Sequence, residues 1–153
     1  MNLISKILPA NQILLDTESS NKKRVFERVG LLLENNQQIA RSTVFDSLFA
    51  RERLGSTGLG QSVAIPHGRV AKLRDATAVF VKTTHAIPFE APDDLPVNLI
   101  FSLLVPERAT DIHLQILGEL AQMFSDDAFR KQLHECNDVA LIHKMFAEWE
   151  STP

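Results

Sequence analysis

A short apolar run sets the strongest limit on the fold that this chain can adopt. It covers residues 97–105, lies between Pro96 and Pro106, and is interrupted by Asn98 and Ser102. The run is far shorter than the roughly 18 apolar residues that a membrane-spanning helix needs. A short apolar segment between prolines is typical of a strand that is buried on both faces. We therefore predict a central β-strand here.

Two further segments are predicted to be strands. Residues 77–84 are rich in β-branched side chains, which favour extended backbone. The shorter segment Val63-Ala64-Ile65 is apolar enough to be anchored in a sheet.

Five helices are predicted from apolar residues at helical spacing and from a polar side chain that caps each start. The predicted helices are Asn21 to Asn35 after Ser20, a helix from Ser42 or Thr43 to Gly55, Asp111 to Phe124 after Thr110, Asp126 to Glu135 after Ser125, and Asp138 to Trp149 after Asn137. Strands embedded among helices predict an α/β sandwich. No long linker and no repeat divides the sequence, so we expect one domain over residues 1–153.

The composition excludes several classes of function. The formal net charge is −3, and acidic and basic residues are mixed, so no basic stripe is available for nucleic acid. Cys136 is the only cysteine, which excludes an internal disulfide and fits a reducing cytoplasm. Residues 1–9 lack a signal-peptide pattern. We expect a soluble protein without direct membrane insertion.

The segment from Gly55 to Arg69 contains the strongest candidate for chemistry, His67. Its sequence, GSTGLGQSVAIPHGR, places a flexible glycine loop, a short apolar strand and a histidine in succession. Pro66 fixes the backbone before His67, and Gly68 leaves room beside the ring. A neutral imidazole is a nucleophile near pH 7, and its attack on phosphorus gives a phosphohistidine. The alternative is an ordinary surface histidine in a turn.

A positive charge and a glycine loop precede this histidine. Arg51 lies near the end of its predicted helix, and the loop from Gly55 to Gly60 allows it to fold back towards the ring. There it would stabilise the negative charge of a phosphoryl group. Ser56, Thr57 and Gly58 offer hydroxyl and backbone N–H groups to phosphate oxygens. The alternatives are that Arg51 only complements the negative helix end and that the loop is an ordinary connection.

His113 is a second candidate, because it falls in the first turn of a predicted helix. There the helix dipole disfavours the imidazolium and attracts anions, so a neutral ring can donate a hydrogen bond to phosphate. The alternative is a plain helix-face histidine. His134, Glu135 and Cys136 are helical neighbours whose side chains point apart, so we predict no metal site. The sequence has no dinucleotide-binding, P-loop or G-x-S-x-G motif, and we expect no cofactor.

The order of these motifs resembles the enzyme IIA domains of the bacterial phosphotransferase system. Within the fructose/mannitol class, the chain is most similar to the stand-alone nitrogen-regulatory members, over nearly its whole length. The residues that carry the resemblance are Arg51-Glu52, Gly55-Ser-Thr-Gly-Leu-Gly60, Ala64-Ile-Pro-His-Gly-Arg69, Pro96-Val-Asn-Leu-Ile-Phe-Ser-Leu-Leu-Val-Pro106 and His113. The resemblance implies a mixed β-sheet flanked by α-helices in a single-domain sandwich.

The resemblance also implies roles and partners. His67 would be the phosphorylated residue, with Arg51 and His113 as its neighbours in the site. The donor would be an HPr-like phosphocarrier, itself phosphorylated by an enzyme I that draws on phosphoenolpyruvate. No nucleotide or metal is implied for this step.

Three functions are compatible with these residues. The leading hypothesis is a phosphohistidine carrier whose phosphorylation state regulates target proteins of nitrogen or general metabolism. Gly-Ser-Thr-Gly-x-Gly and the lack of a fused IIB, IIC or HPr-like domain favour it. The second is a sugar-specific enzyme IIA that passes phosphate to a IIB domain during uptake. The third is a binding module in which His67 is never modified.

Overall fold

The computed structural model describes residues 2–108 and 110–151, with Thr110 described by its backbone alone. Within these residues the strands are β1 (Ile13–Thr17), β2 (Gly58–Gly60), β3 (Val63–Ala64), β4 (His67–Val70), β5 (Thr77–Ile87) and β6 (Val97–Pro106). The α-helices are α1 (Lys22–Gln37), α2 (Arg41–Leu54), α3 (Thr110–Phe124), α4 (Asp127–Glu135) and α5 (Val139–Glu148). Two short 3-10 helices cover Ile4–Lys6 and Ala10–Gln12.

Strand β6 organises the sheet, as its apolar sequence predicts. It pairs antiparallel with β5 and parallel with both β3 and β4. The strand order is β1-β5-β6-β3-β2, with β4 also bound to β6. The sheet is therefore mixed, and the predicted fold class, an α/β sandwich with a mixed sheet flanked by helices, is confirmed.

Side chains of β5 and β6 alternate between two apolar clusters, one on each face of the sheet. Phe80 and Phe101 pack with apolar residues of α3, α4 and α5. Val79 and Ile100 pack with apolar residues of α1 and α2 on the other face. Both clusters depend on the same two strands, so the described residues form one folded unit. Among these residues, no helix is long and apolar enough to cross a membrane.

All five predicted helices are present, but three of them begin at a cap one residue later than predicted. The observed caps of α1, α4 and α5 are Asn21, Asp126 and Asp138, and the predicted caps were Ser20, Ser125 and Asn137. In each case a side-chain oxygen accepts hydrogen bonds from backbone N–H groups two or three residues further on, which is the geometry of an N-cap. The cap predicted at Thr110 lies outside the described side chains.

Helix α2 begins before the predicted start at Ser42 or Thr43. Its first residue is Arg41, and the preceding Ala40 has no side chain that can cap the helix. Glu34 of α1 instead accepts a hydrogen bond from the Arg41 backbone N–H at 2.9 Å. The Glu34 carboxylate of the neighbouring helix thus takes the place of an N-cap side chain. The sequence around residue 41 does not reveal this contact.

The sequence prediction misses three short strands near the site or at the sheet edge. Strands β1, β2 and β4 were not predicted, and β5 continues to Ile87 beyond the predicted end at Thr84. The flexible loop predicted for residues 55–60 becomes strand β2 at Gly58, and His67 begins β4 instead of lying in a turn. Short strands depend on pairing with distant segments, so local pattern alone does not identify them.

Helix α2 lies directly against β4 at Gly68. A β-carbon on Gly68 would lie 2.1 Å from Ser47 Oγ and 2.9 Å from the Ser47 carbonyl oxygen. Ser47 Oγ also donates a hydrogen bond to the Arg69 carbonyl oxygen at 2.8 Å. Only glycine fits at this contact, which fixes the distance between the helix that carries Arg51 and the strand that begins with His67.

We expect Gly68→Ala to destabilise the protein by about 1–3 kcal/mol, because the added methyl group overpacks a backbone contact. Gly118→Ala in α3 is the matched control, since nothing lies within 4 Å of the methyl group it adds. There alanine should stabilise the helix by about 0.5–1 kcal/mol. Urea unfolding followed by circular dichroism measures both effects. Equal free energies of unfolding for the two variants would contradict the contact.

Candidate active site

His67 is held through both its backbone and its ring. It lies opposite Leu103 of the central strand β6, and its side chain is half-buried. Its ring Nδ1 is 3.0 Å from the Ile65 carbonyl oxygen. A carbonyl oxygen can only accept, so this hydrogen bond assigns the proton of the neutral ring to Nδ1. The lone pair is then on Nε2, which is the nucleophilic atom.

The structure places His113 against His67. The centroids of the two rings are 5.4 Å apart, and the ring planes are at 89° to each other. His113 is only 8% exposed, and its Nδ1 has no hydrogen-bond partner among the described residues. A buried N–H group without an acceptor is rarer and more costly than an unused lone pair. A proton on Nε2 of the neutral His113 ring is the arrangement that fits these contacts.

Burial and nearby cations favour the neutral form of both rings. Burial is the main cause that lowers the pKa of His67; its hydrogen bond to a carbonyl raises that pKa, the Arg51 charge lowers it and the Glu52 charge raises it. Burial also lowers the pKa of His113, and the charges of His67 and Arg69 lower it further. The neutral form therefore predominates for both histidines at pH 7, which leaves a lone pair for nucleophilic attack.

Arg51 reaches the site because α2 packs on β4. It lies one helical turn beyond Ser47, the residue that touches Gly68, and so on the same side of α2. Its Nη1 donates a hydrogen bond to the Gly55 carbonyl oxygen at 2.8 Å. Within the described part of the chain, its guanidinium is in no ion pair. The Arg51 charge acts on the His67 ring, and the His113 ring packs against it. The structure thus groups the three residues predicted to carry the chemistry.

A buried carboxylate of α2, Glu52, lies beside the site; the sequence marks it only as part of the family resemblance and assigns it no role. Its Oε1 accepts a hydrogen bond from Thr57 Oγ1 at 2.6 Å. Its Oε2 accepts from the Thr57 backbone N–H at 3.1 Å and from Lys22 Nζ at 3.2 Å. These bonds tie the loop after α2 to the helix. Val44, Leu48 and Glu52 are spaced four residues apart on one helix face, a signal that could have identified the buried carboxylate.

The predicted phosphate-binding residues Ser56, Thr57 and Gly58 lie beside the end of α2, with their polar groups bonded internally. Ser56 Oγ donates to the Phe89 carbonyl oxygen and accepts from the Gly58 N–H at 3.1 Å. The Thr57 hydroxyl and N–H both bind Glu52. Contact with a phosphate would therefore require exchange of existing hydrogen bonds. Phosphate binding by these three residues stays a prediction.

Nothing in the described residues suggests a metal centre at the site. In residues 2–108 and 110–151 there is no group of three or more histidine, cysteine, aspartate or glutamate side chains placed to hold a metal ion. The chemistry available there is that of a neutral imidazole nucleophile, a second imidazole and nearby arginines. Such a site can accept and hold an anionic electrophile.

Comparisons with known proteins identify a family and several relatives of this chain. Residues 6–149 match the family described as phosphoenolpyruvate-dependent sugar phosphotransferase system, EIIA 2. The chain is 32% identical over 146 residues to the nitrogen regulatory protein of Pseudomonas aeruginosa, with 95% of each chain covered. The crystal structure of nitrogen regulatory protein IIA-Ntr from Neisseria meningitidis has a TM-score of 0.90 at 49% identity, covering 95% of this chain and 99% of that chain.

A more distant solved structure shares the fold alone. It is the mannitol enzyme IIA of Escherichia coli, determined in a complex with phosphorylated mannitol enzyme IIB. The TM-score is 0.77 at 20% identity, and 94% of this chain and 100% of that chain are covered.

We expect the protein to lose stability as the pH falls below about 6.5, the ordinary pKa of histidine. Burial lowers the pKa values of His67, His113 and His134 in the folded state, so the unfolded chain binds protons first. The stabilising contribution is complete above the unfolded pKa and is lost as the pH falls through the folded values. Urea unfolding between pH 7.5 and 5.5 measures it. The His67→Ala variant should show a shallower loss, and a pH-independent free energy of unfolding in the parent protein would disprove the effect.

Proposed function

We propose a mechanism for this site from the premise that the chain belongs to the phosphoenolpyruvate-dependent sugar phosphotransferase system EIIA 2 family and is a phosphocarrier with a regulatory role. In the proposal, residues 1–153 form one domain of this family. His67 accepts a phosphoryl group from a donor protein. The resulting phosphohistidine is the form that other proteins recognise.

The tautomer of His67 is the observation that carries the proposal. With Nδ1–H bound to the Ile65 carbonyl oxygen, Nε2 is left with the lone pair that attacks phosphorus. The bond between phosphorus and the donor histidine nitrogen breaks, and that nitrogen keeps the electron pair. A bond from phosphorus to Nε2 of His67 forms. Positive charge moves from the donor ring to the His67 ring, where the Nδ1–H bond to the carbonyl oxygen stabilises it.

His113 and Arg51 supply the stabilisation that a metal ion provides in other phosphoryl transfers. Exchange between two histidines replaces one phosphoramidate with a similar one, so positioning and charge are the main requirements. The Nε2–H group of His113 donates a hydrogen bond to a phosphoryl oxygen. The Arg51 guanidinium offsets part of the nearly two negative charges of the group. No nucleotide or metal takes part.

We assign the loop after α2 a supporting role. Glu52 binds Thr57 and Lys22, which holds the loop close to Arg51 and leaves the Arg51 cation for the phosphoryl group. Ser56 and the Gly58 N–H group, together with Thr57, remain our candidates for contacts with phosphoryl oxygens. They would make those contacts by exchanging their internal hydrogen bonds.

The proposed donor is an HPr-like phosphocarrier, and the proposed recipients of the signal are regulated target proteins in the cytoplasm. Exposed apolar side chains neighbour the site residues in sequence: Leu54 after Arg51, and Ile112 and Leu114 on either side of His113. Exposed apolar side chains this close to the site are available for contact with a protein partner. A IIB domain is the alternative recipient, because the related mannitol enzyme IIA was solved in a complex with phosphorylated enzyme IIB.

Incubation with phosphoenolpyruvate, enzyme I and the HPr-like donor should add one phosphoryl group that is stable to alkali and labile to acid. His67→Ala should abolish the addition, whereas His113→Ala should still be labelled, but more slowly. Intact mass measurement and phosphopeptide mapping follow the modification. Full labelling of His67→Ala, or a phosphoryl group mapped to residue 113, would refute the assignment. A parent protein that stays unmodified would instead favour a simple binding module.

Arg51→Ala should slow transfer by roughly 10-fold to 150-fold, because a hydrogen bond to a charged group contributes about 1.5–3 kcal/mol. Arg53→Ala is the matched control, since Arg53 lies in the same last turn but stacks 5.8 Å from the Phe49 ring centroid. Single-turnover transfer from the phosphorylated donor measures both rates. If the two variants are slowed equally, Arg51 acts only on the helix end and not on the phosphoryl group.

A further inference from the structure

We propose that Arg69 is a positioning residue that joins the three elements carrying His67, Arg51 and His113, an inference that rests on the function proposed above. Arg69 lies on β4, two residues after His67, and is paired in register with Val105 of β6. It is exposed to solvent. Its hydrogen bonds nevertheless reach both α2 and the segment that precedes α3.

One contact ties Arg69 to the helix that carries Arg51. The Arg69 carbonyl oxygen accepts a hydrogen bond from Ser47 Oγ at 2.8 Å. Ser47 lies one turn before Arg51 on α2 and is the residue that touches Gly68. The backbone of residue 69 thus helps to fix α2 on β4.

A second contact ties Arg69 to the approach to His113. Its Nη1 donates a hydrogen bond to the Glu107 carbonyl oxygen at 3.2 Å. Glu107 lies between the end of β6 and the start of α3. The side chain of Arg69 therefore links the segment before α3 to β4, the strand that begins with His67, by one hydrogen bond.

The pleat of β4 explains why the Arg69 side chain lies on the same side of the strand as the His67 ring. Gly68 and Val70 are buried towards α1 and α2, whereas His67 and Arg69 point to the opposite side of the strand. That side faces His113, and the Arg69 charge is one of the causes that lower the pKa of His113. The hydrogen bond to Glu107 and the positive charge of Arg69 thus both affect the His113 ring.

Several charged groups surround His113, and Arg69 must be distinguished from them. His67 and Arg69 face it from β4. Lys6 of the first 3-10 helix, and Arg74 and Asp75 of the segment between β4 and β5, line a cavity together with His113. Of these, Arg69 alone is also bonded to the connection that leads into α3, among the hydrogen bonds of the described residues. Removing it should therefore change both the charge at His113 and the position of the ring.

The test compares Arg69→Gln with Arg28→Gln, a control that removes the same charge from an exposed position on α1. For Arg69→Gln, we expect single-turnover transfer to be about 3- to 10-fold slower, the effect of losing one partly exposed hydrogen bond. The pKa of His113, followed by NMR titration of the unphosphorylated protein, should rise because a neighbouring positive charge is lost. Arg28→Gln should change neither quantity.

Arg69→Lys separates the contact from the charge. Lysine keeps the positive charge but not the planar guanidinium, so the pKa of His113 should stay low while transfer is only partly restored. The proposal is overturned if Arg69→Gln transfers within twofold of the parent rate, or if its His113 pKa equals that of the parent. If the parent protein accepts no phosphoryl group, the proposed function fails. The titration spectra then decide alone: His113 ring signals that shift in Arg69→Lys at an unchanged pKa support positioning by Arg69, and ring signals and a pKa equal to the parent's in Arg69→Gln reject it.

Discussion

The backbone contact between α2 and β4 at Gly68 is the constraint on which the rest of the site depends. A β-carbon there would come within 2.1 Å of Ser47 Oγ, so the two elements are closer than any side chain other than glycine's allows. Strand β4 is in turn paired with β6, the central strand of the sheet. The position of Arg51 relative to His67 is therefore set by rigid elements and not by the conformation of a loop, which is how a precise site is best supported.

The charges at the site are arranged so that the Arg51 guanidinium is not paired with the carboxylate next to it in sequence. Glu52 follows Arg51 directly in sequence, yet its carboxylate pairs with Lys22 at 3.2 Å and binds Thr57. A salt bridge to Arg51 would have neutralised the cation that, in the proposed function, stabilises the phosphoryl group. Burial also favours the neutral form of the two facing imidazoles. Repulsion between two charged rings so close together would act in the same direction.

The sequence predicted the elements whose signals are local. The apolar run at residues 97–105 identified β6, helical spacing identified all five helices, and the family resemblance is confirmed. The sequence did not predict β4. Its four residues include a glycine and a histidine, and they become a strand only by pairing with β6. The same holds for the roles of Glu52 and Arg69. Their partners Lys22 and Glu107 are distant in sequence, and only folding reveals those contacts.

The contacts that hold β4 limit how phosphorylation of His67, as proposed above, can act as a signal. The strand is fixed to β6 by pairing, to α2 through Gly68 and Ser47, and to the approach to α3 through Arg69. If His67 is phosphorylated as we propose, a backbone held on all these sides has little freedom to rearrange. A phosphoryl group adds nearly two negative charges at the surface, next to Arg51 and exposed apolar side chains such as Leu54. Because a like charge placed opposite a charged partner costs several kcal/mol, this change alone can select between partners. We therefore expect regulation by this protein to rest on a local change of charge on an unchanged fold.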